Sequence, residues 1–239
     1  MLSRLIVAMT LRMPRWFVRW VSRRYVAGPT LDDAVTVMKR LESEGACFTI
    51  DVLGEEISSL DEAQYFLDEY VRVMHAIVDH KLDANLSIKP TAFGLLIDKQ
   101  KGMENIESLV RQAAEHDMFV RLDMEDHRVT TETIQVVLDL HEKGLTNVGT
   151  VLQGRLHRTP DDINNVAQTI ASDADYRICK GIYLEPEAIA YTSKSEIRTK
   201  TNEAIRMALE HGAYVGICLL YTSDAADDTP CVDLGGRRI

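Results

Sequence analysis

Short apolar runs recur along the chain at residues 48–53, 85–89, 119–124, 148–153, 176–183 and 213–218. Each has the length of a strand, and successive runs lie about one strand-helix unit apart. Between them the apolar positions switch to helical spacing, with recognisable ends. Ser59-Leu60-Asp61-Glu62 has the form of a capping box and predicts a helix from there to about His80. Thr159-Pro160-Asp161-Asp162 predicts another helix start, with a hydroxyl cap, a proline in the first turn and acids on the positive helix end. Gly45, Gly144 and Gly212 stand where three helices are expected to stop.

Runs that are apolar on both faces and alternate with helices imply a parallel sheet covered by helices. A doubly wound open sheet and a closed barrel share that pattern, and the placement of polar residues separates them. The runs end in Asp51 with Gly54-Glu55, Ser87 and Lys89, Asp123 and Glu125, Gln153 and Arg155, and Lys180-Gly181 with Tyr183. In a (βα)8 barrel such ends meet on one rim, where active sites sit. The expected fold is therefore α/β, a (βα)8 TIM-type barrel that is incomplete, with about six βα units after N-terminal helices. The expected organisation is a helical segment over residues 1–44, a partial barrel over 45–218 and an unrelated or disordered tail over 219–239. No G-x-G-x-x-G follows the first run and no P-loop motif occurs anywhere, which leaves dinucleotide and P-loop folds without local support. Residues two apart in a strand share a face, so Arg121, Asp123 and Glu125 go together, as do Arg177, Cys179, Gly181 and Tyr183. Lys180 would then point outward and meet a cofactor through its main chain.

Hydrophobic residues make up 46% of the chain and charged residues 27%, an ordinary globular balance that excludes a disordered or collagen-like chain. The net charge of −10 is unevenly spread: residues 1–24 hold six arginines and no acid, leaving 21 basic against 37 acidic residues elsewhere. That balance argues against nucleic acid as a partner of the body. In the basic segment Leu5, Met9, Met13, Trp16 and Trp20 recur at helical spacing, the pattern of an amphipathic helix. It either lies on an anionic membrane surface or packs under the barrel, and its apolar runs are too short to span a bilayer. Cys47, Cys179, Cys218 and Cys231 lack C-x-x-C spacing, which fits a reduced, cytoplasmic setting, with peripheral contact to the inner face of the membrane as the amphipathic segment's alternative. The histidines show no H-E-x-x-H spacing, so no zinc site is expected.

Each candidate residue has a plainer role beside the chemical one. Asp51 reads equally as a structural partner for a barrel lysine, and Lys89 before Pro90 as a salt-bridge or cap donor. Asp123, Glu125 and Asp126 form an acidic cluster that either binds a divalent cation or is simply solvated. Arg177 could serve only to pair with Asp175, and Gln153 only to satisfy loop backbone. Met103, Met118 and Met207 read as core fillers.

Taken together, several blocks resemble the bacterial single-function proline dehydrogenases. They are Arg24-Tyr25-Val26-Ala27-Gly28, Thr49-Ile50-Asp51-Val52-Leu53-Gly54-Glu55, Leu86-Ser87-Ile88-Lys89-Pro90 and Arg121-Leu122-Asp123-Met124-Glu125-Asp126. Val151-Leu152-Gln153, Arg177-Ile178-Cys179-Lys180-Gly181-Ile182-Tyr183 and the helix pattern from Ile189-Ala190-Tyr191 to Gly212 follow in order. The resemblance implies oxidation of L-proline to 1-pyrroline-5-carboxylate, with FAD as hydride acceptor and a quinone as electron acceptor. It also implies that Asp123 and Arg177 are catalytic, that Met124, Gln153, Lys180, Gly181 and Ile182 hold the flavin, and that Lys89 and Tyr183 face the substrate, with no metal. Gly181 would let the isoalloxazine approach the backbone.

Two local departures stand out. Gly154-Arg155 replaces a small residue and an aromatic, and Ile182 replaces a smaller residue, which would crowd the ring. A larger one begins at Cys218, where a hydroxyl-histidine-acid turn is expected and the chain instead continues Leu219-Leu220-Tyr221 without strand or helix periodicity. On this reading the last two strands and a carboxylate-gripping helix are absent, and the chain alone neither holds FAD tightly nor oxidises proline. The competing enzyme class is a Schiff-base aldolase on the same barrel with Lys89 or Lys180 as nucleophile; the competing non-enzyme reading is a non-catalytic fragment.

Overall fold

The computed structural model describes Pro14, Phe17, residues 26–28 and residues 30–218. Apart from Pro14 and Phe17, the expectations for the arginine-rich segment and for the tail from residue 219 lie outside the described residues. Helix α1, Leu31–Glu42, opens on Thr30, whose side chain accepts the Asp33 N–H while the Asp33 carboxylate takes the Thr30 N–H, each at 3.2 Å. Its inner face buries Val35 and Met38. Five strand-helix steps and a sixth strand follow: β1 Phe48–Ile50, α2 Leu60–His80, β2 Ala84–Ile88, a 3-10 turn Pro90–Phe93, α3 Lys99–Ala114, β3 Val120–Leu122 and α4 Thr130–Glu142 lead the way. β4 Val148–Gln153, α5 Thr159–Ile170, β5 Asp175–Cys179, α6 Lys194–Glu210 and β6 Tyr214–Ile217 complete them.

All neighbours pair in parallel, and the strand order is β1-β2-β3-β4-β5-β6. A doubly wound sheet reverses its order partway across; this sheet advances one strand at a time in a single direction, as a barrel does. Among the described residues β1 and β6 form its two edges, so it is an incomplete barrel. Also among the described residues, no helix is long and apolar enough to cross a membrane.

Local chemistry explains most element ends. Ser59 caps α2 by accepting the Glu62 N–H at 3.4 Å, but the Glu62 carboxylate reaches back to the Ser58 N–H at 3.3 Å, closing the box one residue early. Gly45, Gly144 and Gly212 have φ of +92°, +80° and +81° just past α1, α4 and α6, the left-handed turn that ends a helix and that a side chain would strain. The expectation at α5 needs correction: Thr159 is the first helical residue, Arg158 occupies the cap position, and the Thr159 hydroxyl donates to the Gln153 carbonyl at 2.6 Å. The hydroxyl closes the β4–α5 loop rather than the helix end. Strands β1, β3 and β5 are also shorter than their apolar runs, because the last residues of each run belong to rim loops.

Two apolar clusters hold the layers together. One packs Leu86, Ile88, Val120 and Leu122 of the sheet against Tyr70, Ile106 and Leu109 of the helices; the other packs Leu152, Tyr176, Ile178 and Val215 against Ile163 and Ala208. Each of the leucine, isoleucine and valine side chains contributes about 1.5–3 kcal/mol when fully buried.

Candidate active site

The side chains opposite those clusters turn to the concave face of the sheet. Register places Ser87, Arg121 and Gly149 in one row and Val151, Arg177 and Gly216 in the next. The lower row forms a floor. Arg121 is buried, pairs with the Asp175 carboxylate at 2.8 Å, donates to the Asp175 carbonyl at 2.9 Å and stacks 4.7 Å from the Phe119 ring centroid. A Cβ on Gly149 would meet the Asp175 carbonyl at 2.3 Å and the Arg121 guanidinium at 3.0 Å, so only glycine leaves room for this arrangement. The partner considered for Arg177 is therefore taken by Arg121.

Above the floor lies a cleft of about 480 Å³, in the size range of small-molecule sites, bordered by all nine residues singled out from the sequence. Arg177 forms an ion pair with Asp123 and donates to the Ser87 hydroxyl at 3.1 Å. The Ser87 hydroxyl in turn donates to Asp123 at 2.6 Å, and the Asp123 N–H is fixed to the Ile88 carbonyl at 2.8 Å. Lys89 is paired with Asp51 and lies 4.0 Å from the other Asp123 oxygen. Four charges, three just past the ends of β1, β2 and β3 and one within β5, thus alternate in sign across the cleft. Burial pulls the Lys89 pKa down, but the Asp51 hydrogen bond and the charges of Asp51, Asp123 and Glu55 outweigh it and leave it above its ordinary value.

Helix α2 supplies a residue that the sequence reading did not single out. The buried Tyr70 hydroxyl lies 2.9 Å from the Asp51 carboxylate and 2.8 Å from the Ser87 carbonyl, and accepts the Val52 N–H at 3.1 Å. Burial, reinforced by Asp51, raises its pKa and keeps the phenol protonated. Nothing in the sequence showed that its hydroxyl would reach between β1 and β2.

The acidic cluster is dispersed. Asp123 faces Arg177, Asp126 pairs with the exposed Arg128 at 2.6 Å, and Glu125 turns into a buried niche where it accepts the Thr91 N–H at 2.9 Å and hydroxyl at 2.5 Å. Burial pushes the Glu125 carboxyl up to about 7, the Thr91 bonds opposing it and Glu55 adding to it. Cys179, also on the cleft, is pushed up to about 12, chiefly by burial, and stays a thiol.

On the opposite wall Gln153 donates to the Met124 carbonyl at 3.3 Å and the Glu125 carbonyl at 2.9 Å, while its buried Oε1 has no hydrogen-bond partner among the described residues. Met124 is buried beside it. Lys180 borders the cleft, and its carbonyl accepts the Arg155 N–H at 3.1 Å. Gly181 has a φ of +97°, and a Cβ there would lie 2.6 Å from both Arg155 Cδ and Gln153 Oε1. The glycine is thus required by these neighbours on its own wall. Gly154-Arg155 has a structural use as well: Gly154 lets Thr201 of α6 pack close, and Arg155 donates to the Tyr183 carbonyl. Ile182 is 57% exposed at the cleft border, and the Tyr183 hydroxyl donates to Glu55 at 3.2 Å.

Comparison with known proteins bears on this geometry. Residues 34–219 match the model of the family described as proline dehydrogenase. Proline dehydrogenase 1 of Bacillus subtilis subsp. natto is 32% identical over 196 residues, 82% of this chain and 64% of that protein. The proline dehydrogenase of Deinococcus radiodurans is 30% identical over 203 residues, with the same two coverages, so the chain spans about 64% of the length of these curated relatives. The crystal structure of proline utilization A from Bdellovibrio bacteriovorus inactivated by N-propargylglycine superimposes with a TM-score of 0.75 at 22% identity, over 84% of this chain and 25% of that one. That likeness supports the partial-barrel fold, while the matched family model and the sequence identity carry the assignment. The chain belongs to the proline dehydrogenase family.

Proposed function

We propose that this chain carries the reaction cleft of a flavin-dependent proline dehydrogenase, oxidising L-proline to 1-pyrroline-5-carboxylate. The observation that carries the reading is the convergence of Lys89, Asp123, Gln153 and Arg177, from four different strands, on one cleft. FAD, when bound, supplies the hydride acceptor, and a quinone is the proposed final electron acceptor. The residues fit such a group: Gln153 offers a buried acceptor in need of a donor, which the ring N–H of a flavin provides. Met124, Lys180, Gly181 and Ile182 complete the proposed cofactor wall. Arg177 is placed to stabilise negative charge developing beside it, with its guanidinium oriented by Asp123 and Ser87. Lys89 and Tyr183 border the proposed substrate side. The quinone and any contact of the amphipathic segment with the inner face of a membrane belong to the same proposal.

The aldolase alternative finds no support at Lys89, since a Schiff-base nucleophile needs a depressed pKa and this ammonium is held charged by Asp51. The test is FAD titration of the purified chain, read by loss of flavin fluorescence. Weak but saturable binding is expected, weakened about 10-fold by Gln153→Leu, the effect of losing one buried hydrogen bond. No saturation, or equal binding by the variant, overturns the cofactor assignment. Borohydride trapping of a substrate adduct on Lys89 would instead establish the aldolase.

A further inference from the structure

The β5–α6 loop, residues 180–193, does not stay above its own strand. It is first held over the end of β4, where Arg155 donates to the Tyr183 carbonyl. It then reaches past β4 to the β3–α4 loop: Glu185 accepts the His127 N–H at 2.9 Å through one carboxylate oxygen and contacts His127 Nδ1 at 2.5 Å through the other. The Tyr183 hydroxyl extends the crossing to Glu55 in the β1–α2 loop. A segment that begins on β5 is therefore tied to loops that follow β4, β3 and β1.

Apolar burial does not account for this course. Leu184 is 97% exposed and Ile182 57% exposed, whereas the Glu185 side chain between the loops is 1% exposed. A carboxylate that deeply buried is tolerated only when its hydrogen bonds are satisfied. Here both oxygens are served by a single residue, so the contact is made or lost as one unit.

We propose that Glu185 is a positioning residue that latches the β5–α6 loop to His127 and so keeps Gly181, Ile182 and Tyr183 along the cleft wall. The role assigned to those three residues rests on the proposed cofactor and substrate sites; the latch itself does not. Hydrogen exchange by mass spectrometry on the whole chain tests it. Glu185→Ala is expected to speed exchange over residues 180–189 by about 10-fold or more, with the amides of β3 and β4 unchanged. Glu185→Gln keeps an acceptor for the His127 N–H and is expected to recover part of the protection, and His127→Ala, which removes the imidazole contact but keeps the backbone N–H, is expected to lose part of it. Unchanged exchange in the loop of Glu185→Ala, an increase spread over the whole chain, or full protection in His127→Ala overturns the latch. Added FAD separates the two proposals: failure of the parent chain to bind FAD removes the cofactor reading, while the exchange pattern still decides the latch. If the parent binds FAD, weaker binding by Glu185→Ala supports the role given to Gly181, Ile182 and Tyr183, and equal binding overturns that role while the exchange pattern decides the latch.

Discussion

The two faces of the sheet are built from the same strands, yet they are stabilised by different physics. On the helix side Leu86, Ile88, Leu122, Leu152 and Ile178 are at most 2% exposed and rely on apolar burial. On the concave side Ser87, Lys89, Asp123 and Arg177, their immediate neighbours in sequence, rely on directed pairs whose partners come from other strands. Apolar contacts tolerate any neighbour of suitable shape, whereas each charge on the concave face depends on one particular partner. Stability should therefore be concentrated on one face and chemistry on the other.

Substitutions can break or sharpen that contrast. The largest loss of stability is expected from Leu122→Ala, about 2–5 kcal/mol from lost burial and the cavity left behind, measured by urea unfolding. If Asp123→Ala proved equally costly, the division between faces would fail. Next comes Glu125, the concave-side group expected to oppose folding at neutral pH. Its folded-state pKa, about 7, exceeds its ordinary value of 4.5, so the folded chain binds the proton more tightly than the unfolded chain. Its contribution is fully favourable below about pH 4.5, declines as pH rises through that window and is lost above about pH 7, a swing of about 3 kcal/mol. Unfolding midpoints measured between pH 4.5 and 8 should show that slope, and Glu125→Gln should flatten it; an unchanged slope would assign the titration to another group. The smallest effect is expected from Tyr70→Phe, about 1–2 kcal/mol, because the Val52 N–H loses its acceptor and Asp51 its donor. A variant as stable as the parent would show that Tyr70 acts only as an apolar spacer.

The parts of the molecule legible in advance share a local cause. The βα alternation, the helix from Leu60 to His80 and the three terminal glycines each depend on residues within a turn or two of one another. Thr159 was misread because its hydroxyl had two local acceptor-donor choices, and a loop carbonyl at Gln153 won over the helix end. The site was legible as a set of strand-end residues but not as a set of partners. Arg177 turned to Asp123 because Arg121 already occupies Asp175, a competition settled only when β3 and β5 are brought across β4.

The sequence by itself determined the alternation of elements, which strand residues share a face and the residue types delivered to the rim, because side-chain period and capping are properties of neighbouring residues. Tertiary structure alone decided the strand order, the pairing of Lys89 with Asp51, the reach of Tyr70 between strands and the burial that lifts Glu125. Those outcomes depend on which groups the folded chain brings within a few ångströms of one another, and sequence distance carries no record of that.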